Sequence, residues 1–266
     1  VWRDQNKALV YSIACPPDSS HQGHITYSRW PTMALPQAVD VVAALKNVRT
    51  YPGFYDYAPL PDYADAVEWH VNFADAHLFV AYSSSLLAQD ELQVLEHPAL
   101  GSVLEYLRAS GESPLTVERG APTPILLSGV ERRCHLATEP NAEEGRPAGL
   151  YGNRFAVASQ DAVQSATTCL EPPTITNLIA MAAPAGGFGH YDRATIEYIL
   201  TTAFTAFRAA VMMSAEIRGE TPPVVVHTGF WGCGAFGGNR VLMAMLQIIA
   251  SGMAGLDGVA FHTGEA

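Results

Sequence analysis

The sequence predicts an α/β fold, and three observations carry that prediction. Short β-branched or apolar runs alternate with helical patterns through the second half of the chain, as expected for helices layered on one sheet. The clearest helix, Ala194–Arg218, sets Ile196, Ile199, Leu200, Ala203, Phe204, Phe207 and Val211 on one stripe at i, i+3, i+4, i+7 spacing. A glycine-rich stretch, His227–Arg240, joins the β-branched run Val224–Val226 to the apolar run Val241–Ala250.

The elements follow in order. Leu9–Ala14 and His24–Tyr27 are β-like runs. Pro36–Val48 reads as a helix with Ala38, Val41, Val42 and Leu45 on one face. Asn47–Tyr63 is aromatic and proline-rich, suited to an irregular wrap over a core. Trp69, Val71 and Phe73 alternate as in a strand, Ser83–Ser85 forms a polar loop, and Gln89–Glu96 begins an acidic helix. Thr123–Ser128, Arg154–Ala158 and Asn177–Ala183 are further strands, the last apolar enough to be central. Asn141–Ala148 is an exposed charged turn and Pro184–Gly189 a loop. Gly219 stops the long helix. Gly258–Thr263 is the final strand. No repeat or low-complexity tract divides the 266 residues, so a single domain is expected, with 1–66 as an accessory part and 67–266 as the core.

Composition narrows the function. A net charge of −11 argues against a general binder of nucleic acid or of acidic membranes, which would show a basic face. It leaves room for one anionic ligand held by backbone dipoles. Cys15, Cys134, Cys169 and Cys233 are scattered, with no CxxC pair and no Cys/His cluster at zinc spacing. They read as free thiols of a reducing, cytoplasmic compartment, and no basic-then-apolar signal pattern follows Val1. Val241–Ala260 is interrupted by Gln247, Ser251, Gly252, Gly255, Asp257 and Gly258, so it reads as a core helix and a strand, not a membrane span.

The His227–Arg240 stretch holds five glycines in fourteen positions, where chain-wide usage gives about one. Asn239 is a good N-cap for the helix that follows. A strand, a glycine loop and a helix N-terminus direct backbone N–H groups and the positive end of a dipole at one point, which suits a phosphate or diphosphate. Trp231 and Phe236 would border a ribose or base. The plainer alternative is a tight turn with both aromatics in the core.

A second cluster carries charge. Asp75, Asp90 and Glu91 fall close together in sequence, the last two after a serine loop at a helix start. One such carboxylate is a solvated helix start favoured by the dipole. A Gln-Asp-Glu triplet between apolar runs fits that account less well. His77, His190 and His227 read as structural, and Ser83–Ser85 has no His/Asp arrangement to activate a serine. Two adjacent carboxylates without regular further ligands make a weak magnesium site, so neither metal nor cofactor is expected.

At these residues the chain resembles poly(ADP-ribose) glycohydrolases. TGFWGCGAFGGNR, followed by LMAMLQIIASGMAGLDGVAFHTG, is similar to the C-terminal part of that family, with WGCGAFGG matching over eight consecutive residues. VNFADAHLFVAYSSSLLAQDEL resembles its catalytic segment. GHITYSRW and GLYGNRFAVAS are weaker matches in the right order. The resemblance implies a macrodomain, a mixed sheet between helices, with a helical or irregular N-terminal extension. It implies Glu91 as the catalytic glutamate, with Asp90 at the family's first glutamate and Asp75 at an asparagine near the reacting ribose. It further implies ligand contacts from Asn72, Gln89, Tyr151, Trp231, Gly232, Gly234, Ala235, Phe236, Gly237 and Gly238.

Departures from the family pattern shape the expected activity. Phe79, Val80 and Ala81 stand where the family has three glycines, Asp90 is a methylene shorter than its counterpart, and Phe230 replaces an asparagine. Extra carboxylate near the ribose suits a cationic leaving group such as a guanidinium. The expectation is therefore a monomeric ADP-ribosyl hydrolase acting on ADP-ribosylated protein, favouring arginine-linked mono(ADP-ribose). A polymer hydrolase and a non-catalytic ADP-ribose reader are the alternatives.

Overall fold

The computed structural model describes residues 2–187, 189–219 and 221–264. In chain order the elements are α1 (Gln5–Ala14), β1 (Thr26–Arg29), α2 (Val41–Lys46), β2 (Val48–Tyr51), β3 (Val67–Ala74), α3 (Gln89–Glu96), α4 (Ala99–Ser110), β4 (Val117–Glu118), β5 (Ala121–Pro122), β6 (Ile125–Leu136), α5 (Gln160–Ala166), β7 (Thr167–Ala182), α6 (Arg193–Arg218), β8 (Val224–Gly229), α7 (Arg240–Ala254) and β9 (Gly258–His262). A mixed seven-stranded sheet runs β1-β6-β7-β3-β8-β9-β2. β3 is parallel to β7 and β8, β9 is parallel to β8 and β2, and β1 is antiparallel to β6. This is the α/β, macrodomain-like sheet flanked by helices that the sequence predicts.

The chain forms two compact units, and it passes between them within β6 and β7. The first comprises Val1–Ile25, Leu78–Pro114 and Gly129–Thr176; the second comprises Thr26–His77, Leu115–Ser128 and Asn177–Ala266.

The core of the second unit is built by α6 and α7 on the sheet. Ile199, Ala203, Phe204, Phe207 and Ala210 of α6 and Met243, Leu246 and Ala250 of α7 pack with Trp69, Val71 and Val226. Burying each large side chain contributes about 1.5–3 kcal/mol. α6 is long and apolar enough to cross a membrane, but half of its most apolar window is buried in this core. Gln247, the polar break in the apolar run, is fully buried and works as a clamp. Its Nε2 donates to the Gly229 and Met243 carbonyls at 3.0 and 3.1 Å, and its Oε1 accepts from the Thr228 hydroxyl. The clamp fixes the C-terminal end of β8 to α7.

The first unit has its own apolar cluster. Val10 and Ala14 of α1 pack with Leu87, Leu95, Cys134, Leu150, Phe155 and Val163.

Four sequence expectations are corrected. Leu9–Ala14 is the end of helix α1, because Asp4 caps it by accepting from the Lys7 amide at 3.0 Å and the buried set Asn6, Lys7, Val10, Ala14 follows helical spacing. The helix expected over Pro36–Val48 is only Val41–Lys46. Its expected apolar face, Val41, Val42 and Leu45, is exposed, and small Ala44 is the residue turned inward, against Gly252. The wrap over Asn47–Tyr63 begins with a strand, Val48–Tyr51, and is irregular only beyond it. Arg154–Ala158 is a 3₁₀ turn over Phe155–Val157 that plugs Phe155 into the core and leaves Val157 exposed. The leucine stripe of α4 (Leu100, Leu104, Leu107) and the whole of α5 were not anticipated.

Beneath the aromatic wrap lies a buried hydrogen-bonded chain. The Glu68 carboxylate lies 2.8 Å from His227 Nε2, and His227 Nδ1 lies 3.1 Å from His262 Nε2. A carboxylate only accepts, so His227 donates through Nε2 and receives through Nδ1 from His262. The Tyr55 hydroxyl donates to the Val71 and His227 carbonyls at 3.1 and 3.3 Å and closes the cluster.

Burial, and then the neighbouring His227, push the His262 pKa down from 6.5 to about 4. Between those values the unfolded chain binds more protons at this residue than the folded chain, so stability falls as pH drops from 6.5 to 4. His262→Gln, which keeps a donor for His227, removes that titration. Thermal melts should show a Tm that declines less steeply from pH 6.5 to 4 in the variant than in the parent. Equal slopes would contradict the assignment.

Candidate functional site

The glycine loop is described first, within the second unit. β8 is buried along its length and delivers the chain to Gly229, where a Cβ would stand 2.6 Å from the His262 carbonyl oxygen. Trp231 follows with no exposed surface, and its indole N–H donates to the Met181 carbonyl at 2.9 Å. Of the two loop aromatics Trp231 therefore takes the core position, holding the loop without offering a ring face. Phe236 is half-buried.

Close backbone approach explains the glycines. Gly232 has φ +73°, and a Cβ there would lie 2.4 Å from the Ala183 Cβ. The Gly238 N–H donates to the Gly232 carbonyl at 2.9 Å, with no room for a Cβ at 238. A second loop braces the first. The Gly187 N–H donates to the Phe236 carbonyl at 2.8 Å, and a Gly187 Cβ would come within 2.8 Å of the Gly238 Cα. The Tyr191 hydroxyl accepts from the Asn239 N–H at 2.7 Å and donates to the Gly187 carbonyl at 2.8 Å. Asn239 caps α7 by accepting from the Leu242 N–H at 3.0 Å.

This framework leaves donors over. Among the described residues, the N–H groups of Gly234, Ala235 and Phe236 have no hydrogen-bond partner, and Gly234 and Ala235 are exposed. Free backbone amides ahead of a helix N-terminus are the kind of donors an anion can use. Burial raises the Cys233 thiol to about 11, with Arg240 opposing, so it stays protonated at neutral pH and is no nucleophile. Phe230 packs edge-on against Phe261, and the Arg240 guanidinium lies over its ring at 4.8 Å.

Asn72 and Asp75 also belong to the second unit. Asn72 is fully buried on β3. Asp75 follows the strand, with its backbone carbonyl accepting from the Thr116 hydroxyl at 2.7 Å and Oδ1 accepting from the His77 N–H at 3.1 Å. Its side chain is 44% exposed.

The first unit carries the Gln-Asp-Glu triplet. Gln89, Asp90 and Glu91 open α3, where the helix dipole favours carboxylates. Asp90 and Glu91 are both buried. Glu91 Oε2 accepts from the Ala88 N–H at 2.9 Å, and Oε1 has no hydrogen-bond partner among the described residues. Tyr151, half-buried, precedes Gly152, whose backbone pairs with Leu87 just ahead of α3. The unit thus brings Tyr151 and the triplet's helix start into one neighbourhood.

Phe79, at one of the lost glycines, keeps a glycine-like backbone with φ +51° while burying its ring completely. The left-handed conformation costs about 1–2 kcal/mol, and burying the phenylalanine returns about 1.5–3. Packing wins, so the substitution is tolerated without a change of turn.

Sequence reasoning missed Lys7. It is a fully buried lysine on α1 whose Nζ donates to the Tyr82 carbonyl at 2.9 Å. The first element expected from the sequence starts at Leu9, past Lys7; the signal that could have found it is Asp4, the N-cap three residues earlier.

Glu68, His70 and His227 offer ligand atoms within 4.8 Å of one another. The His70 and His227 rings are stacked, 4.1 Å between centroids and 17° apart. A ring nitrogen binds a metal in the plane of its ring, and an ion lying in the plane of one stacked ring is out of the plane of the other. The geometry fits the hydrogen-bonded chain better than a metal centre.

Residues 148–266 match the family model for poly(ADP-ribose) glycohydrolase (PARG), Macro domain fold. A search of curated proteins finds no match. Among solved structures, the chain is similar to the poly(ADP-ribose) glycohydrolase of Thermomonospora curvata bound to the inhibitor ADP-HPD, with a TM-score of 0.50 and 14% identity over 98% of this chain and 92% of that one. It is equally similar to a further structure of that enzyme, with a TM-score of 0.50 and 14% identity over 97% and 92% of the two chains. At that identity the likeness speaks for the fold; the sequence match over 148–266 contains Tyr151 and the whole glycine loop. The chain is thus similar to PARG-like macrodomains in sequence over its C-terminal part, less than half of its length, and in fold over nearly all of it.

Proposed function

We propose that this protein is an ADP-ribosyl glycohydrolase that removes ADP-ribose from modified protein and favours arginine-linked mono(ADP-ribose). The observation that carries the reading is the row of three amides at Gly234–Phe236 without a partner among the described residues, inside the family-matched segment. In this reading the loop holds the diphosphate, with Gly232, Gly237 and Gly238 shaping it. Binding energy gathered there fixes the ribose, far from the bond that breaks.

Cleavage at ribose C1 passes through an oxocarbenium-like state and needs a carboxyl group to serve the leaving group and the attacking water. Glu91 is assigned that role. One oxygen is pinned by the Ala88 amide and the other is left for a proton. Gln89, Asn72 and Tyr151 are assigned to the ligand, and Asp90 and Asp75 to the neighbourhood of the reacting ribose. The preference for arginine rests on Asp75: it is half-exposed, and its Oδ2 is unclaimed by any described residue. A guanidinium leaving group can be met by a charge-assisted bond there, about 1.5–3 kcal/mol, whereas a ribose hydroxyl offers no such charge.

Two tests follow. Gly234 has no heavy atom within 4 Å of where its Cβ would stand, so Gly234→Val should fold and place a branched side chain among the donor amides. Calorimetry should show ADP-ribose affinity falling at least tenfold with Tm nearly unchanged; unchanged affinity would put the ligand elsewhere.

Glu91→Gln keeps an acceptor for the Ala88 amide and should lose about 10²–10⁴ in turnover while still binding ADP-ribose. A panel of arginine-linked, serine-linked, glutamate-linked and polymeric substrates, read by mass spectrometry, decides the linkage. The parent should cleave arginine-linked mono(ADP-ribose) with the highest kcat/KM, and Asp75→Asn should lose that advantage selectively. Binding without release from any substrate would make the protein a reader, and preference for polymer would leave only the broader hydrolase assignment.

A further inference from the structure

The sheet of the second unit opens between two of its strands. β3 and β8 pair over four positions, from Val67↔Val224 to His70↔His227. Beyond that level β3 runs on to Ala74 in register with β7, and β8 runs on to Gly229 in register with β9. The C-terminal ends of the two strands thus turn to different neighbours. In open α/β sheets such a switch point leaves a crevice outside the carboxyl ends of the strands, and ligands bind there. Asn72 lies on β3 past the last shared pair, Asp75 follows that strand, and the glycine loop follows β8.

A single hydroxyl bridges the strands where they diverge. Tyr55 donates to the Val71 carbonyl at 3.1 Å and to the His227 carbonyl at 3.3 Å, one acceptor from each strand. Val71 is the first β3 residue beyond the last pair, and His227 is the β8 member of that pair. Burial holds the Tyr55 pKa well above its ordinary value, so the group stays a donor. The ring meets His262, His70 and Tyr57 edge-on, with centroids 4.9, 5.4 and 5.8 Å away.

The segment that carries Tyr55 is fastened at both ends. Gly53 and Gly264 exchange two backbone hydrogen bonds, at 2.9 and 3.1 Å. The Leu60 N–H donates to the Glu68 carboxylate at 2.9 Å. The aromatic wrap therefore delivers a hydroxyl to the gap between the strands. Further pairing of β3 with β8 is the ordinary way to satisfy carbonyls at this level. A phenol brought in from a separate segment satisfies them while keeping the strands apart.

We propose that Tyr55 is a positioning residue for the ligand: its hydroxyl, set between Val71 and His227, holds the ends of β3 and β8 at the spacing at which Asn72 and Asp75 on one strand and the glycine loop on the other engage one molecule. The proposal rests on the assignment of those groups to ADP-ribose given above.

The test compares two probes in the parent and in Tyr55→Phe, which keeps the ring and removes only the hydroxyl. Inorganic diphosphate needs only the loop at the end of β8. ADP-ribose must meet groups from both strands. Both affinities are read from NMR titrations of ¹⁵N-labelled protein, and Tm from thermal melts. In Tyr55→Phe, ADP-ribose should bind about tenfold or more weakly, because it no longer fits both strands at once, while diphosphate affinity stays within about twofold. Should Tyr55→Phe fail to fold, Tyr55→Met, whose flexible side chain fills irregular space without offering a donor, should show the same split. A structural role alone would lower Tm and leave the ratio of the two affinities unchanged. A folded variant whose ratio is the parent's, or moves the other way, overturns the proposal alone. A parent that binds ADP-ribose but not diphosphate, or that binds neither, overturns the assignment of the loop and this proposal with it.

Discussion

The contact on which the glycine loop depends is the meeting of three glycine backbones. Gly232, Gly238 and Gly187 approach so closely that a Cβ at any of them would collide with neighbouring atoms. That approach lets Gly238 donate to Gly232 and Gly187 donate to Phe236. With those bonds made, the amides of Gly234–Phe236 have no hydrogen-bond partner among the described residues. Gln247 and Trp231 anchor the loop from below, one to the end of β8 and one to β7. Core packing in the second unit thus becomes a preorganised array of dipoles, so little ordering is left to occur on binding.

The carboxylate region of the first unit follows a different logic. Its carboxylates are buried at a helix N-terminus, which helps hold their negative charge. Lys7, fully buried on α1, donates to the Tyr82 carbonyl, and its helix is capped by a further carboxylate, Asp4. Phe79 shows how the turn survived the loss of glycine: it keeps the left-handed backbone and offsets the strain by burying its ring.

Much of this was legible in the sequence, for identifiable reasons. Elements with a strong period or a strong cap were read within a few residues, as with α6, α3 and the strand–loop–helix around the glycines. Elements whose inward face is small or mixed were misread. α2 turns only Ala44 inward, so its exposed valines and leucine suggested the wrong face. α1 buries asparagine and lysine beside valine and alanine, so apolar spacing concealed a helix that its Asp4 cap would have revealed. Lys7 was invisible for the same reason, since its importance lies in contacts across 75 residues of sequence. The glycine loop was legible because steric contact dictates glycine at 229, 232 and 238, which concentrates the residue type in one short stretch.

The central claim is that the Gly234–Phe236 amides hold the diphosphate of ADP-ribose. Titrating ADP-ribose into ¹⁵N-labelled protein and following backbone amide resonances tests it most directly. Those three amides should show the largest downfield proton shifts, saturating together with the calorimetric binding curve, and inorganic diphosphate should move the same resonances. Saturable binding of ADP-ribose that leaves the three amides unmoved would contradict the account.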